Sequence, residues 1–319
     1  MQMTEISEQS IIGKDVISNQ RSGFNLDRWF VFLLAGISSL ILIIVLAIFS
    51  ELVRSSFLSL KTFGIKFLFE SEWDPVKEVF GALPFIFGTL ASSAIAMLIA
   101  VPVSLGVALF VTQWAPRWLK NPISFLVELL AAIPSVIYGL WGIFILVPFI
   151  RSEIFPFVYK VFGFIPFFEG PAYGPSLLAG SLILSIMILP TITSVSKEII
   201  STVPQESSEA VFALGGTRWE AIRWAILKIS KSGIIGACVL GLGRALGETM
   251  AVTMVIGNRP EIPHSLFAPA YSLASVIANE FSEATSEIYL SSLAKMGLIL
   301  LLLTFVVNAC ARLLVKKVK

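Results

Sequence analysis

The sequence predicts an all-α polytopic membrane protein with six transmembrane helices, and three observations lead to that class. Of its 319 residues, 56% are hydrophobic and 14% charged, whereas a soluble globular domain carries roughly a quarter charged residues. The mean hydropathy is +0.88. The apolar residues gather into six stretches, residues 29–50, 83–111, 125–150, 176–195, 232–257 and 290–315. Each meets the roughly 20-residue length that a helix needs to cross a bilayer.

Residues 1–27 are polar, have no period of their own and read as a cytoplasmic tail; residues 28–319 read as one transmembrane domain. The first span is the cleanest, a Leu/Ile/Val run opened by Arg28-Trp29 and closed by Glu51. It is too long, and starts too far from the N-terminus, for a cleaved signal peptide. The next three spans carry Pro102, Pro134 and Pro190. Each proline removes a backbone donor, and in lipid the freed carbonyl must find another partner. Such kinks bend helices around a pathway, and they also occur in membrane proteins of every kind. Residues 154–168 are aromatic-rich but interrupted by Pro156, Lys160 and Pro166, and they read as an interfacial or re-entrant piece.

The fifth span, residues 232–257, is rich in glycine, and Gly243 and Gly247 form G-x-x-x-G. That spacing permits close helix approach, within the subunit or at an interface with another. Arg244 and Glu248 interrupt this otherwise apolar span, Arg244 near its midpoint. A charge at that depth costs on the order of 2.5–3.5 kcal/mol even on the mildest scale. Four residues apart, the two charges are expected to share one helix face. Two readings compete: they contact a transported ion, or they form a structural ion pair.

Lys/Arg asymmetry sets the direction. With six spans both termini share a side, which holds fourteen positive residues against seven opposite, so the termini are expected in the cytoplasm. The net charge of +2 does not call for nucleic acid. On the outer side, residues 55–82 and 258–289 mix aromatics with acids, and Glu280, Glu283 and Glu287 recur at helical spacing. They read either as docking surfaces or as ordinary solvated loops. Cys238 and Cys310 lie in apolar spans and suggest no disulfide framework. His264, which follows Pro263, lacks the Cys or His neighbours of a metal site and reads as a solvated loop residue. No cofactor is expected.

The inner loop, residues 198–231, is amphipathic. Pro204 marks a helix start, with Glu206 and Glu209 in the following turns, where acids suit the positive end of a helix. Ala210, Phe212, Ala213 and Leu214 offer apolar contacts before Gly215-Gly216 breaks the run. A second helix over residues 219–229 leads back to the membrane. By itself the loop suits either a handle for a cytosolic partner or a membrane-surface helix.

Glu209-Ala210, with Gly215 six residues after Glu209 and Ile226-Leu227 beyond, resembles the cytoplasmic "EAA" loop of ABC-importer permeases. The chain departs from it at Leu227-Lys228, where many such loops carry Leu-Pro. The continuation is more specific: Thr217-Arg218-Trp219-Glu220, residues 241–253 (Gly-Leu-Gly-Arg-Ala-Leu-Gly-Glu-Thr-Met-Ala-Val-Thr) and Ile256-Gly257-Asn258. With Phe80-Gly81-Ala82-Leu83-Pro84, Gly88-Thr89-Leu90 and residues 132–142, they resemble PstC-type permeases of phosphate-specific ABC transporters, from about residue 28 to the C-terminus.

That resemblance implies the MetI-like ABC-importer permease fold in a bacterial cytoplasmic membrane. It implies a second permease of the PstA type, a pair of cytosolic ATPase subunits of the PstB type and an extracytoplasmic phosphate-binding protein of the PstS type. It implies that Arg244, Glu248 and Thr249 act in phosphate passage. It also implies that the loop helix, with Glu206, Glu209, Ala210, Gly215 and Gly216, couples to the ATPase. The chain has no G-x-x-x-x-G-K-[ST] phosphate loop, so ATP hydrolysis is expected of a partner and not of this chain. Two other classes remain open at this point: a permease for molybdate or sulfate, and a stand-alone anion channel or secondary transporter.

Overall fold

The computed structural model describes residues 23–168 and 174–318. Among them, six helices are long and apolar enough to cross a membrane. The chain divides into two units, Met1–Arg54 and Ser55–Lys319. The first is described through α1, Gly23–Ser55. This helix begins inside the predicted tail; the remainder of the tail, residues 1–22, lies outside the described residues.

The second unit opens with α2 (Phe57–Phe63) and the first of its spans, α3 (Leu83–Trp114). Then come α4 (Arg117–Ala132), α5 (Ser135–Val161) and α6 (Leu177–Ser201). The short α7 (Gln205–Ala213) leads to α8 (Arg218–Gly247) and α9 (Met250–Val255). The unit closes with α10 (Leu273–Glu280) and α11 (Glu287–Val318).

At the centre α3 lies along α6, and α8 packs against both. Lipid supplies no hydrophobic drive between helices, so close packing of small residues does the work. On α3, Ser92, Ala96, Ala100, Ser104 and Ala108 recur every four residues and are all buried; Leu184, Ile188 and Ile192 of α6 are buried in the same cluster as Ala96 and Ala100. Pro102 and Pro190 stay inside continuous helices, and Ser104 Oγ donates to the Leu189 carbonyl at 3.1 Å, tying the two helices beside their prolines.

Close approach in α8 rests on other glycines than expected. A Cβ on Gly241 would stand 2.6 Å from Ile192 Cγ1, and one on Gly233 2.7 Å from Ile199 Cγ2. Gly243 has only Asn308 of α11 within reach, at 3.7 Å, and beside Gly247 a Cβ would meet nothing. The G-x-x-x-G pair is therefore not the tight contact within this subunit.

Three further expectations change. The third span is two helices, since Ile133 (ψ 127°) and Pro134 (ψ 142°) are extended and separate α4 from α5. The presumed re-entrant piece largely continues α5: Pro156 follows directly on the π-helical turn Ile150–Ile154, and the run passes through it to Val161. The π-helical turns Gly142–Leu146 and Ile150–Ile154 flank Pro148 within the same run, a common way to absorb a proline. The fifth span is also broken: α8 ends at Gly247, Glu248 is extended (φ −71°, ψ 130°), and α9 starts at Met250.

At one end of this unit Phe67, Trp73, Phe80, Phe85, Tyr271 and Tyr289 form an aromatic core. Glu280 Oε2 accepts from Trp73 Nε1 (2.9 Å) and from the Tyr289 hydroxyl (2.7 Å), so it holds the core together. Glu280 ends α10 while Glu287 begins α11, and the three acids do not share a helix face. Burial and the neighbouring Glu280 push the Tyr271 hydroxyl well above its ordinary range. Lys295, which is buried on α11, donates to the carbonyls of Ser59 (3.3 Å) and Gly64 (3.0 Å) beside α2, with its Nζ 4.1 Å from the Phe67 ring centre.

A Cβ at Gly88 would collide with the Tyr271 backbone carbonyl. Backbone cannot swing aside as a side chain can, so Gly88→Ala is expected to destabilise by roughly 1–3 kcal/mol. A lowered melting temperature of the purified chain in detergent would register it.

Candidate functional site

The α8/α9 break is built locally. Thr217 and Glu220 start α8 with a capping box: Thr217 Oγ1 accepts from Glu220 N (3.3 Å) and Glu220 Oε2 accepts from Thr217 N (2.7 Å). The helix then runs to Gly247. There Glu248 turns out of the helix, and its Oε1 accepts from Ala251 N at 3.3 Å at the start of α9, where negative charge is favoured. Thr249 lies between the two helices, its hydroxyl turned to the Gly247 carbonyl at 3.4 Å. Asn258 Nδ2 donates to the Thr253 carbonyl (2.8 Å) beyond the other end of α9.

Arg244 sits in the last turn of α8 and is half-buried. Its Nη1 donates to Thr191 Oγ1 of α6 at 3.1 Å. No ion pair joins Arg244 to Glu248 among the described residues, and each is bonded elsewhere. The helix break removes the shared face that sequence spacing gave them.

The break beside Pro134 lies close by. Gly139 of α5 packs on α9 so tightly that a Cβ would stand 2.5 Å from Met254 Sδ and 3.1 Å from Ala251 Cα. Two helices that each follow a break thus pack side by side. Across the first gap the Tyr138 hydroxyl donates to the Leu130 carbonyl at 2.7 Å. Thr191 and Tyr138 were not singled out from sequence. The available signal was spacing, since Leu130 and Tyr138 lie four residues on either side of Pro134.

The loop residues gather elsewhere. Glu206 occupies the first turn of α7 and none of the residues of α7 is buried. Phe212 and Leu214 stand 46% and 91% exposed, and Ala210 and Ala213 are exposed too, so they make no core within this chain. Gly215 has φ +79°, and its neighbour's amide, Gly216 N, closes the helix on the Val211 carbonyl at 2.9 Å, a helix end that glycine favours. A Cβ on Gly216 would meet Val211 Cγ1 at 2.5 Å. Glu209, Ser208 and Phe212 line a cleft shared with Thr112 and Gln113 at the end of α3 and Lys120 of α4. The second loop helix is not separate, because the segment from Arg218 runs unbroken into the span. His264 is exposed in its loop.

Residues 100–319 match the family described as "Binding-protein-dependent transport system inner membrane component". The "Phosphate transport system permease protein PstC" of Mesorhizobium japonicum is 47% identical over 88% of this chain and 86% of that protein. Its namesake from Haemophilus influenzae is 46% identical over 88% and 90%. A structure titled "Inward facing conformations of the MetNI methionine ABC transporter: CY5 native crystal form" covers 78% of this chain and all of that one, with a TM-score of 0.54 at 16% identity; that likeness concerns the fold. The chain belongs to the binding-protein-dependent transport inner membrane component family and, within it, to the PstC-type permeases.

Proposed function

We propose that the chain is the permease subunit through which an ABC importer passes inorganic phosphate across a bacterial cytoplasmic membrane, with both termini in the cytoplasm. The carrying observation is Arg244, a half-buried guanidinium inside a membrane span that is bonded to a hydroxyl and, among the described residues, to no carboxylate. Arginine suits phosphate because its planar fork donates parallel hydrogen bonds and keeps its charge. A conducted ion must also leave, and Glu248, bonded beyond the break, supplies negative charge that limits the hold on the anion. Thr249, between the two helices, adds a hydroxyl to the passage.

The exposed apolar residues of α7 support a handle that inserts into a groove on a PstB-type ATPase. In this reading ATP binding closes the ATPase pair and α7 moves with it. The broken and kinked spans then re-orient the cavity shared with a PstA-type permease, and Gly247, open on its helix, faces that second subunit. Phosphate arrives from a PstS-type binding protein outside. The test is uptake of radiolabelled phosphate by proteoliposomes holding the assembled complex, with sulfate as competitor. Uptake that needs ATP and the binding protein and resists excess sulfate is expected. Sulfate or molybdate transport in its place, or uptake by this chain alone, would overturn the proposal.

A further inference from the structure

Pro134 lacks the N–H that a continuous helix would donate to the carbonyl four residues earlier, that of Leu130. An unsatisfied carbonyl within a membrane costs several kcal/mol, and the one backbone amide that reaches this carbonyl among the described residues, Ile133 N, does so at 3.4 Å. Tyr138 fills the place: one turn beyond the proline, its hydroxyl reaches back 2.7 Å to that same carbonyl. It does so although the two intervening residues, Ile133 and Pro134, are extended and leave α4 and α5 without a continuous backbone ladder. The side chain is 7% exposed, so its alternatives to this acceptor are few.

α4 itself is held lightly. Val127 is its one buried residue among those described. Its ion pair to α6, Glu128 to Lys197 at 3.7 Å, leaves the carboxylate side chain 65% exposed, a class of contact worth little. The two ends of α4 differ in what they meet. Lys120, near its start, lines the cleft with Ser208, Glu209 and Phe212 of α7. Leu130, near its finish, is bonded to Tyr138, whose neighbour Gly139 packs on Ala251 and Met254 of α9, just past the break that follows Arg244. At 1.5 Å per residue its sixteen residues bridge about 24 Å.

We infer that Tyr138 is a positioning residue of the transport cycle. Its hydroxyl latches the α4 arm to α5, so that displacement of α7 in the shared cleft is carried along α4 to the neighbourhood of Arg244. This rests on the reading of Arg244 as part of the passage. Without the latch, α4 hinges freely at Ile133-Pro134, and movement of α7 no longer reaches the Arg244 end. ATP is then spent with less transport.

Tyr138→Phe removes one oxygen and keeps the ring. The complete complex in proteoliposomes, with binding protein inside the assay, gives phosphate transported per ATP hydrolysed. That ratio is expected to fall at least fivefold in Tyr138→Phe, with ATPase activity retained. An unchanged ratio overturns the inference, whether both rates stay normal or both decline together, because a mere fold contact lowers them in proportion. The wild-type complex in the same assay separates the two levels. No phosphate uptake there would defeat the functional reading itself, whereas normal uptake beside an unchanged variant ratio would defeat only the latch.

Discussion

Arg244→Lys is expected to lower phosphate uptake by about 10- to 100-fold while the complex assembles normally. Lysine keeps the charge and loses the planar fork. The loss of one charge-assisted hydrogen bond, roughly 1.5–3 kcal/mol, corresponds to that range in rate. The observed contacts make assembly insensitive to the change. The guanidinium ties α8 to α6 through a single bond to Thr191, and α8 is packed onto α6 independently by Gly233 and Gly241 against Ile199 and Ile192. Initial rates of radiolabelled uptake beside the yield of purified complex check both halves. Lost assembly at normal specific uptake would mean that the arginine serves packing.

Gly215→Pro carries the second large effect. The native φ of +79° is closed to proline, whose ring holds φ near −65°. The strain, on the order of 1–3 kcal/mol, falls at the end of α7 and redirects the chain between it and Thr217. The spans should still insert, because α8 starts from its own capping box at Thr217 and Glu220. Uptake is expected to fall at least tenfold while ATP hydrolysis persists in the complex. Coupling equal to wild type would remove the handle role from this loop.

The spans and the inner helix of this chain were legible in its composition and punctuation. Apolar runs of bilayer length, Pro204 before α7 and the Gly215 stop all have local causes; the first, second, fourth and sixth spans, the α7 start and the stop stand close to where they were expected, whereas the third and fifth spans are shifted and broken. The breaks were less legible. Residues 232–257 remain apolar straight through Glu248, so periodicity saw one helix; the turn there depends on the Glu248 side chain bonding Ala251 N. The third span reads as continuous for the same reason, although Pro134 gave warning. The tight glycines of α8 were misassigned because the motif spacing of Gly243 and Gly247 does not reveal which helix face meets α6. Contacts between distant elements, such as Arg244 with Thr191 or Lys295 with the Ser59 and Gly64 carbonyls, leave no mark in a single sequence.

The central claim is that an oxyanion passes the α8/α9 break. Thr249→Cys in a chain with Cys238 and Cys310 replaced by alanine, assembled with its partners, tests it through the rate of modification by a water-soluble thiol reagent. Modification that phosphate slows during ATP-driven turnover, and sulfate does not, is the predicted result. A thiol that no aqueous reagent reaches from either side, or one whose reactivity ignores phosphate, would contradict the account.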